Sequence, residues 1–316
     1  MEQRDPHIAP IEPREVRYIK LGPSGAWEKH CIAAGEMHFK YAEVPHEPCL
    51  MGDWEAVKAI LLKKQVCKPA AVGDALREIQ AFYRLGRDCL WITFVADRLY
   101  WGFAEPEVAW LGEGPMGPRV RRMIGGWRHQ SLAGRTLLKD DLSSSLTRVR
   151  GYQKTICGVK DRAYLLDRIN DRERERVAQA RQAQTAVTRA AASLIRALDW
   201  SDFEVMADLI FSRSGWQRIS RIGGSQKAVD LVLEHPTLEG RAFVQVKSEA
   251  GQAELDRSIR SYRESDSYRW MYFLCHSPTF TPGPDYGDSV QVWTGGKLAE
   301  AAVRTGLLDW LIQKAR

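Results

Sequence analysis

Long hydrophobic runs are missing from this chain of 316 residues. No apolar stretch approaches the roughly 20 residues that cross a bilayer. The opening MEQRDPHIAPIEPRE has no apolar region of the kind a secretory leader carries. Membrane insertion and secretion are therefore not expected, and a cytoplasmic location is. Cysteine is scarce and scattered, with six residues at positions 31, 49, 67, 89, 157 and 275 and no CxxC pair. A disulfide scaffold is not expected; reduced, buried thiols are. His30, Cys31, His38, His46 and Cys49 do fall within one short region. Their spacings match no usual zinc arrangement, and two expected strands would separate them, so zinc is not expected there.

What is present is ordinary globular material with a slight basic excess. The length suffices for two domains, and 44% apolar residues can fill real cores. The net charge of +6 mildly favours a polyanionic partner. Eleven tryptophans are many for this length. Most belong in cores, yet the supply also permits an aromatic pocket.

The stretch Ala228–Ser248 organises the second half. It reads as two strands around the turn-forming His235-Pro236-Thr237-Leu238-Glu239-Gly240. Side chains two apart share a strand face. Gln245 and Lys247 therefore point together, and Ala242, Val244 and Val246 point the other way. A hairpin brings Asp230 beside that pair. An acid, an amide oxygen and an ammonium on one face can hold a divalent metal and a water against a phosphodiester. The plainer alternative is an ion pair between Asp230 and Lys247 on a sheet.

These residues resemble the PD-(D/E)xK nuclease superfamily, in particular its Mrr-like restriction branch, where glutamine often replaces the second acid. Asp230 takes the place of the acid, and Gln245-Val246-Lys247 forms the QxK triplet. Trp200-Ser201-Asp202-Phe203-Glu204 matches the branch's helical FE feature, and Gly223-Gly224 precedes the acid. Val229 stands where proline often precedes the acid. The resemblance covers about Leu198 to Arg316 and implies a restriction-endonuclease-like αβββαβ domain. It implies that Asp230, the Gln245 amide and the Val246 carbonyl hold Mg²⁺, with Mn²⁺ as a substitute. Lys247 would orient the attacking water and stabilise phosphate charge. Glu204 would act through a water or a second ion, or would be an exposed acid at a helix start. Ser225 and Gln252 are candidate phosphate or outer donors.

The first half is expected as a loose tail over 1–14 followed by a domain over 15–160. Val16–Leu21 alternates like a strand. Trp27–Ile32 and Met37–Tyr41 suggest a strand pair around Ala34-Gly35. Residues 54–61 and 70–85 are helical in period, and Cys89–Val95 with Leu99–Ala104 reads as a hairpin. Met123–Trp127 and Thr147–Ile156 suggest further strands. This pattern resembles the PUA-like group, including EVE domains, which are small mixed barrels able to hold a flipped, modified base. The candidate pocket walls are Trp27, Trp54, Trp101 and Trp127, each with core packing as the plain alternative. Arg119, Arg121, Arg122, Arg128 and His129 surround Trp127 and are candidates for DNA phosphate contact or a solvated face. Residues 161–197 contain no glycine or proline and read as a long helical connector between the domains, leaving 198–316 for the nuclease.

The overall expectation is a mixed α/β, Mg²⁺-dependent DNA endonuclease of the modification-dependent, type IV-like kind. Its partner would be double-stranded DNA carrying modified bases, with a homodimer or larger assembly for double-strand cleavage. The competing readings are a nucleic-acid-binding module whose nuclease fold is inactive or acts in signalling, and a nuclease of RNA or repair intermediates.

Overall fold

The computed structural model describes residues 9–112, 114–219, 230–283 and 286–315. The chain forms two compact units that divide between Arg174 and Glu175. Both mix helices with sheets, so the α/β class stands. Among the described residues no helix is long and apolar enough to cross a membrane.

The first unit runs β1 (Glu15–Ile19), α1 (Glu28–Ala34), β2 (Glu36–Phe39), α2 (His46–Met51), α3 (Trp54–Lys63), α4 (Val72–Arg84), β3 (Cys89–Val95), β4 (Arg98–Phe103), β5 (Ala109–Trp110), β6 (Arg119–Arg122), α5 (Ser144–Thr147), β7 (Ile156–Gly158) and α6 (Arg162–Ile169). One sheet has the order β4-β3-β1-β7, with β1 parallel to β3; the other is β2-β6-β5. Strand β3 explains its own sequence. Cys89 and Trp91 pack with Val57, Ile79 and Phe82, whereas Leu90, Ile92 and Phe94 pack with Leu146, Leu165 and Ile169. A strand buried on both faces reads as a continuous apolar run and not as an alternation. Glu78 of α4 is buried and accepts hydrogen bonds from Thr155 N (2.5 Å), Ile156 N (2.8 Å) and the Tyr41 hydroxyl (2.7 Å). One carboxylate thus fixes the start of β7.

Several expectations change here. No closed barrel is found among the described residues; isolated bridges, such as Trp101 with Arg128, join β4 to the chain after β6. Residues 28–34 are a helix and not a strand. Gly35, at φ 65°, caps it with its N–H on the Cys31 and Ile32 carbonyls, a helix stop that apolar alternation concealed. Residues 123–127 are a turn, because Gly125 and Gly126 take φ of 70° and 76°. Residues 147–156 hold the end of α5 and a 3₁₀ turn before β7 begins.

The expected 161–197 helix is two helices, α6 and then α7 (Glu175–Arg196) in the second unit. Asp171 lies between them at φ 55°, its carboxylate receiving Ala133 N and the Arg135 guanidinium. Helix α7 is more than a connector. Its Ala191 and Ile195 are buried with Phe203, Met206, Leu298 and Ala302, so it contributes to the core of the second unit.

That unit continues with α8 (Trp200–Arg213), β8 (Gln217–Arg218), β9 (Leu231–His235), β10 (Leu238–Ala250), α9 (Gln252–Arg263), β11 (Trp270–Pro278), β12 (Val290–Thr294), α10 (Gly295–Arg304) and α11 (Leu308–Lys314). The sheet order is β12-β11-β10-β9-β8. It is antiparallel from β8 to β10 and parallel from β10 to β12. Asp199 starts α8 by accepting Ser201 N at 3.0 Å. Ala242, Val244, Val246 and Leu274 pack with α7, α8, α10 and α11 on one face. Phe243, Met271, Phe273 and Cys275 pack with Leu255, Ile259 and Tyr262 of α9 on the other. The period-2 split of β10 therefore assigns Gln245 and Lys247 to the α9 face.

Candidate active site

The hairpin β9–β10 creates the site by ending early. Its turn is Pro236-Thr237, and a register shift follows between Leu238 and Arg241, where Gly240 takes φ 105°. Pairing runs from His235 with Leu238 to Leu231 with Val244. Beyond that point β10 continues without β9. Asp230, one residue before β9, donates its N–H to the Val244 carbonyl at 3.2 Å and turns its side chain into the vacated edge. Its Oδ2 accepts Val246 N at 2.7 Å and Gln245 Nε2 at 2.5 Å, and stands 3.6 Å from Lys247 Nζ. The N–H and C=O of one strand residue lie on the same edge, so the Val246 carbonyl opens toward Asp230 as well.

Burial is graded across the group. Gln245 is 5% exposed, whereas the Asp230 and Lys247 side chains are 22% and 32% exposed. The amide is locked and the charged ends meet solvent. Glu204 of α8 joins them electrostatically. Burial pushes its carboxyl pKa up, and the charge of Asp230 pushes it the same way, against the pull of Lys247 and Arg218. Phe203, its neighbour in the FE pair, is fully buried in the core. The FE pair thus divides into an anchor and an acid that senses the site.

Residues 195–273 match the family Mrr_cat, a restriction endonuclease. No curated protein and no solved structure matches the chain. The second unit is therefore restriction-endonuclease-like, and the match contains Glu204, Asp230, Gln245, Val246 and Lys247. A restriction-endonuclease-type nuclease acts on DNA, which agrees with the basic balance of the chain.

Two polar groups of this restriction-endonuclease-like unit escape sequence reading. The register of Lys247 with Cys275 and Glu249 with Ser277 sets Ser248 beside His276. Ser248 Oγ and His276 Nε2 are both buried, and neither has a hydrogen-bond partner. His276 Nδ1 contacts Ser277 Oγ at 2.9 Å, and the ring meets Phe203 edge-on at 4.7 Å. Burial lowers the His276 pKa, helped by Arg196 and opposed by Glu249. A lone histidine at the end of an apolar strand gave no signal of this.

The remaining expected residues do not converge on one place. Gln252 is exposed at the start of α9 and donates to Asp256 at 2.7 Å. Ser225, with Gly223 and Gly224, lies outside the described residues. In the first unit, Arg119 and Arg121 are fully buried and are not phosphate contacts. Arg119 donates to the Tyr83 hydroxyl (2.7 Å) and to the carbonyls of Lys40, Tyr41 and Val44. Arg121 donates to the carbonyls of Glu105, Phe82 and Ala104. Arg122 and Arg128 are exposed, and the Arg128 guanidinium lies 5.5 Å over Trp101.

The tryptophans likewise separate. Trp101 is a core residue, 2% exposed, with Nε1 on the Gln130 carbonyl at 2.8 Å. Trp54 carries Arg84 over its ring at 4.6 Å. Trp127 donates to the Glu36 carbonyl at 2.9 Å. Trp27 lines a cleft of about 450 Å³ with Lys40, Tyr41, Met116 and Lys154. The four do not build a single aromatic cage.

Proposed function

We propose that the second unit hydrolyses phosphodiesters of double-stranded DNA at Asp230, Gln245 and Lys247, using a divalent metal. The supporting observation is the meeting of these three side chains and the Val246 backbone on the edge that β9 leaves open. The donor set fits Mg²⁺, a hard cation that takes carboxylate, amide and carbonyl oxygens and retains waters; Mn²⁺ is the natural substitute. The 2.5 Å contact places the Gln245 amide nitrogen on Asp230. Turning that amide would oppose two oxygens, an arrangement that needs a cation between them. A bound metal would supply Lewis-acid activation of the water and charge for the phosphate.

The residues of the chain do the positioning. Val246 N–H and Gln245 hold the Asp230 carboxylate in one rotamer. The Lys247 ammonium, on the same strand face as Gln245, donates to a phosphate oxygen and orients the attacking water. As the water oxygen bonds to phosphorus, the bond to the leaving sugar oxygen breaks, and Lys247 faces the charge that develops. Glu204, which feels the charge of Asp230, would act through a water or a second ion.

The first unit supplies DNA recognition in this reading, in the manner of the PUA/EVE-like readers. Its cleft at Trp27 combines aromatic walls with Lys40 and Lys154. Stacking of an extruded base there is worth about 1–3 kcal/mol. A nuclease guided by such a reader performs modification-dependent, type IV-like restriction of foreign DNA. Plasmid nicking in Mg²⁺ or Mn²⁺ tests the chemistry: Asp230→Ala and Lys247→Ala fold and bind DNA but do not cut. Full activity in either overturns the assignment, and an inert wild-type protein supports the binding-module reading. Matched duplexes with unmodified, methylated and hydroxymethylated cytosine test the reader. Trp27→Ala should lose discrimination among them and retain binding to unmodified DNA.

A further inference from the structure

A second constellation lies in the first unit, where the sequence spacing gave no reason to expect a metal. His30 of α1 and Glu36 and His38 of β2 place one ligand atom each within 4.8 Å of one another. The tight Gly35 turn between helix and strand brings them together; two strands would have held them apart. His46 and Cys49 do not join. His46 Nδ1 pairs with the Tyr83 hydroxyl at 2.8 Å, and Cys49 packs against the Pro45 carbonyl.

His38 is the decisive residue. It is 1% exposed, and its Nδ1 stands 3.1 Å from the Gly117 carbonyl, which can only accept. That contact calls for an N–H at Nδ1, so in the neutral ring Nε2 carries the lone pair. Nε2 is buried, has no hydrogen-bond partner, and stands 3.4 Å from Glu36 Oε2. A buried ring nitrogen with a lone pair, directed at a carboxylate that can only accept, lacks a cation between them. The 3.4 Å separation matches the edge of a tetrahedron with bonds of about 2.0–2.1 Å. The His30 ring, exposed and 5.6 Å from that of His38, supplies the third ligand atom of the group. The His38–Gly117 contact is the outer support that metal-bound histidines usually have.

We infer that His30, Glu36 and His38 form a zinc site with its fourth position open to solvent. Two imidazoles and one carboxylate suit Zn²⁺, whereas Mg²⁺ prefers an all-oxygen set. The site ties α1 to β2, and through Gly117 it braces the wall of the Trp27 cleft.

The test is a titration of the chelator-stripped full chain with Zn²⁺ against a chromophoric competitor. Wild type and Asp230→Asn should each bind one tight zinc, which separates this site from the nuclease centre. His30→Ala and Glu36→Gln should bind it at least about 100-fold more weakly. Both residues lie toward the surface, so their metal-free melting temperatures should match wild type. Co²⁺ should give the visible absorption of a tetrahedral site in wild type and lose it in His30→Ala. A wild-type chain that takes no zinc from the competitor overturns the inference. So does equal affinity in wild type and His30→Ala, or loss of the zinc in Asp230→Asn.

Discussion

Strands β6 and β10 both carry cations, and they use them in opposite ways. On β6, Arg119 and Arg121 point inward. The Phe82 carbonyl that Arg121 reaches at 3.1 Å is in the last turn of α4, where helix carbonyls have no partner of their own. The loop carbonyls of Lys40, Tyr41 and Val44 receive Arg119, at Tyr41 beside the Val44 N–H. Burial pushes the Arg121 pKa down to about 10, still well above neutrality. On β10, Lys247 lies past the last residue that pairs with β9, and it opens on solvent beside an acid. A cation in mid-strand completes the scaffold; a cation at a strand edge left open is available for chemistry.

The sharpest way to break this comparison is to remove the buried guanidinium groups. Arg119→Ala should cost about 3–5 kcal/mol of folding stability, since it leaves a cavity and several unsatisfied carbonyls. Arg121→Ala should behave alike. Arg122→Ala, exposed on the same strand, should stay within about 0.5 kcal/mol of wild type. Urea denaturation followed by circular dichroism measures all three. If Arg121→Ala kept its stability and lost only DNA affinity, the division between scaffold and site would be wrong.

The next test works on β10 itself. Gln245→Glu replaces the locked amide with a carboxylate next to Asp230. Without metal, two acids in contact should destabilise the unit. With metal, the added charge should lower the half-saturating Mg²⁺ concentration about tenfold, roughly 1.4 kcal/mol of binding. Nicking rate against Mg²⁺ concentration reads this out. An unchanged metal requirement in a folded, active variant would remove Gln245 from the ligand set.

The same contrast explains what the sequence could show. The meeting of Asp230, Gln245 and Lys247 was legible because a strand has a period of two and a hairpin has one register. The two-faced burial of β3 was legible from its unbroken apolar run. The β6 arginines were misjudged because charge predicts exposure only when no acceptor carbonyl is near, and those carbonyls come from residues 16 to 79 positions away. Helix α1 was misjudged because seven residues are too few to show a helical period, and its stop at Gly35 was the better guide. His30, Glu36 and His38 needed that helix before they could meet.

The smallest effect concerns His276, behind Lys247 on the next strand. Its folded pKa is lowered from the ordinary value of about 6.5 by burial, and Arg196 adds to this while Glu249 opposes it. Above that ordinary value the ring is neutral in both the folded and the unfolded chain. As pH falls through it, the unfolded chain takes up a proton that the folded chain refuses, so stability is lost until the folded pKa is passed. Glu204, whose pKa is raised, has the opposite sign: its contribution fades as pH rises through its folded value. Comparing wild type with His276→Gln cancels the Glu204 contribution and isolates the histidine. Between pH 7 and pH 5 the melting temperature should fall less steeply in the variant. Equal slopes would mean that His276 accepts its proton within the fold, so that its unpartnered Nε2 reaches solvent or the Glu249 carboxylate when charged.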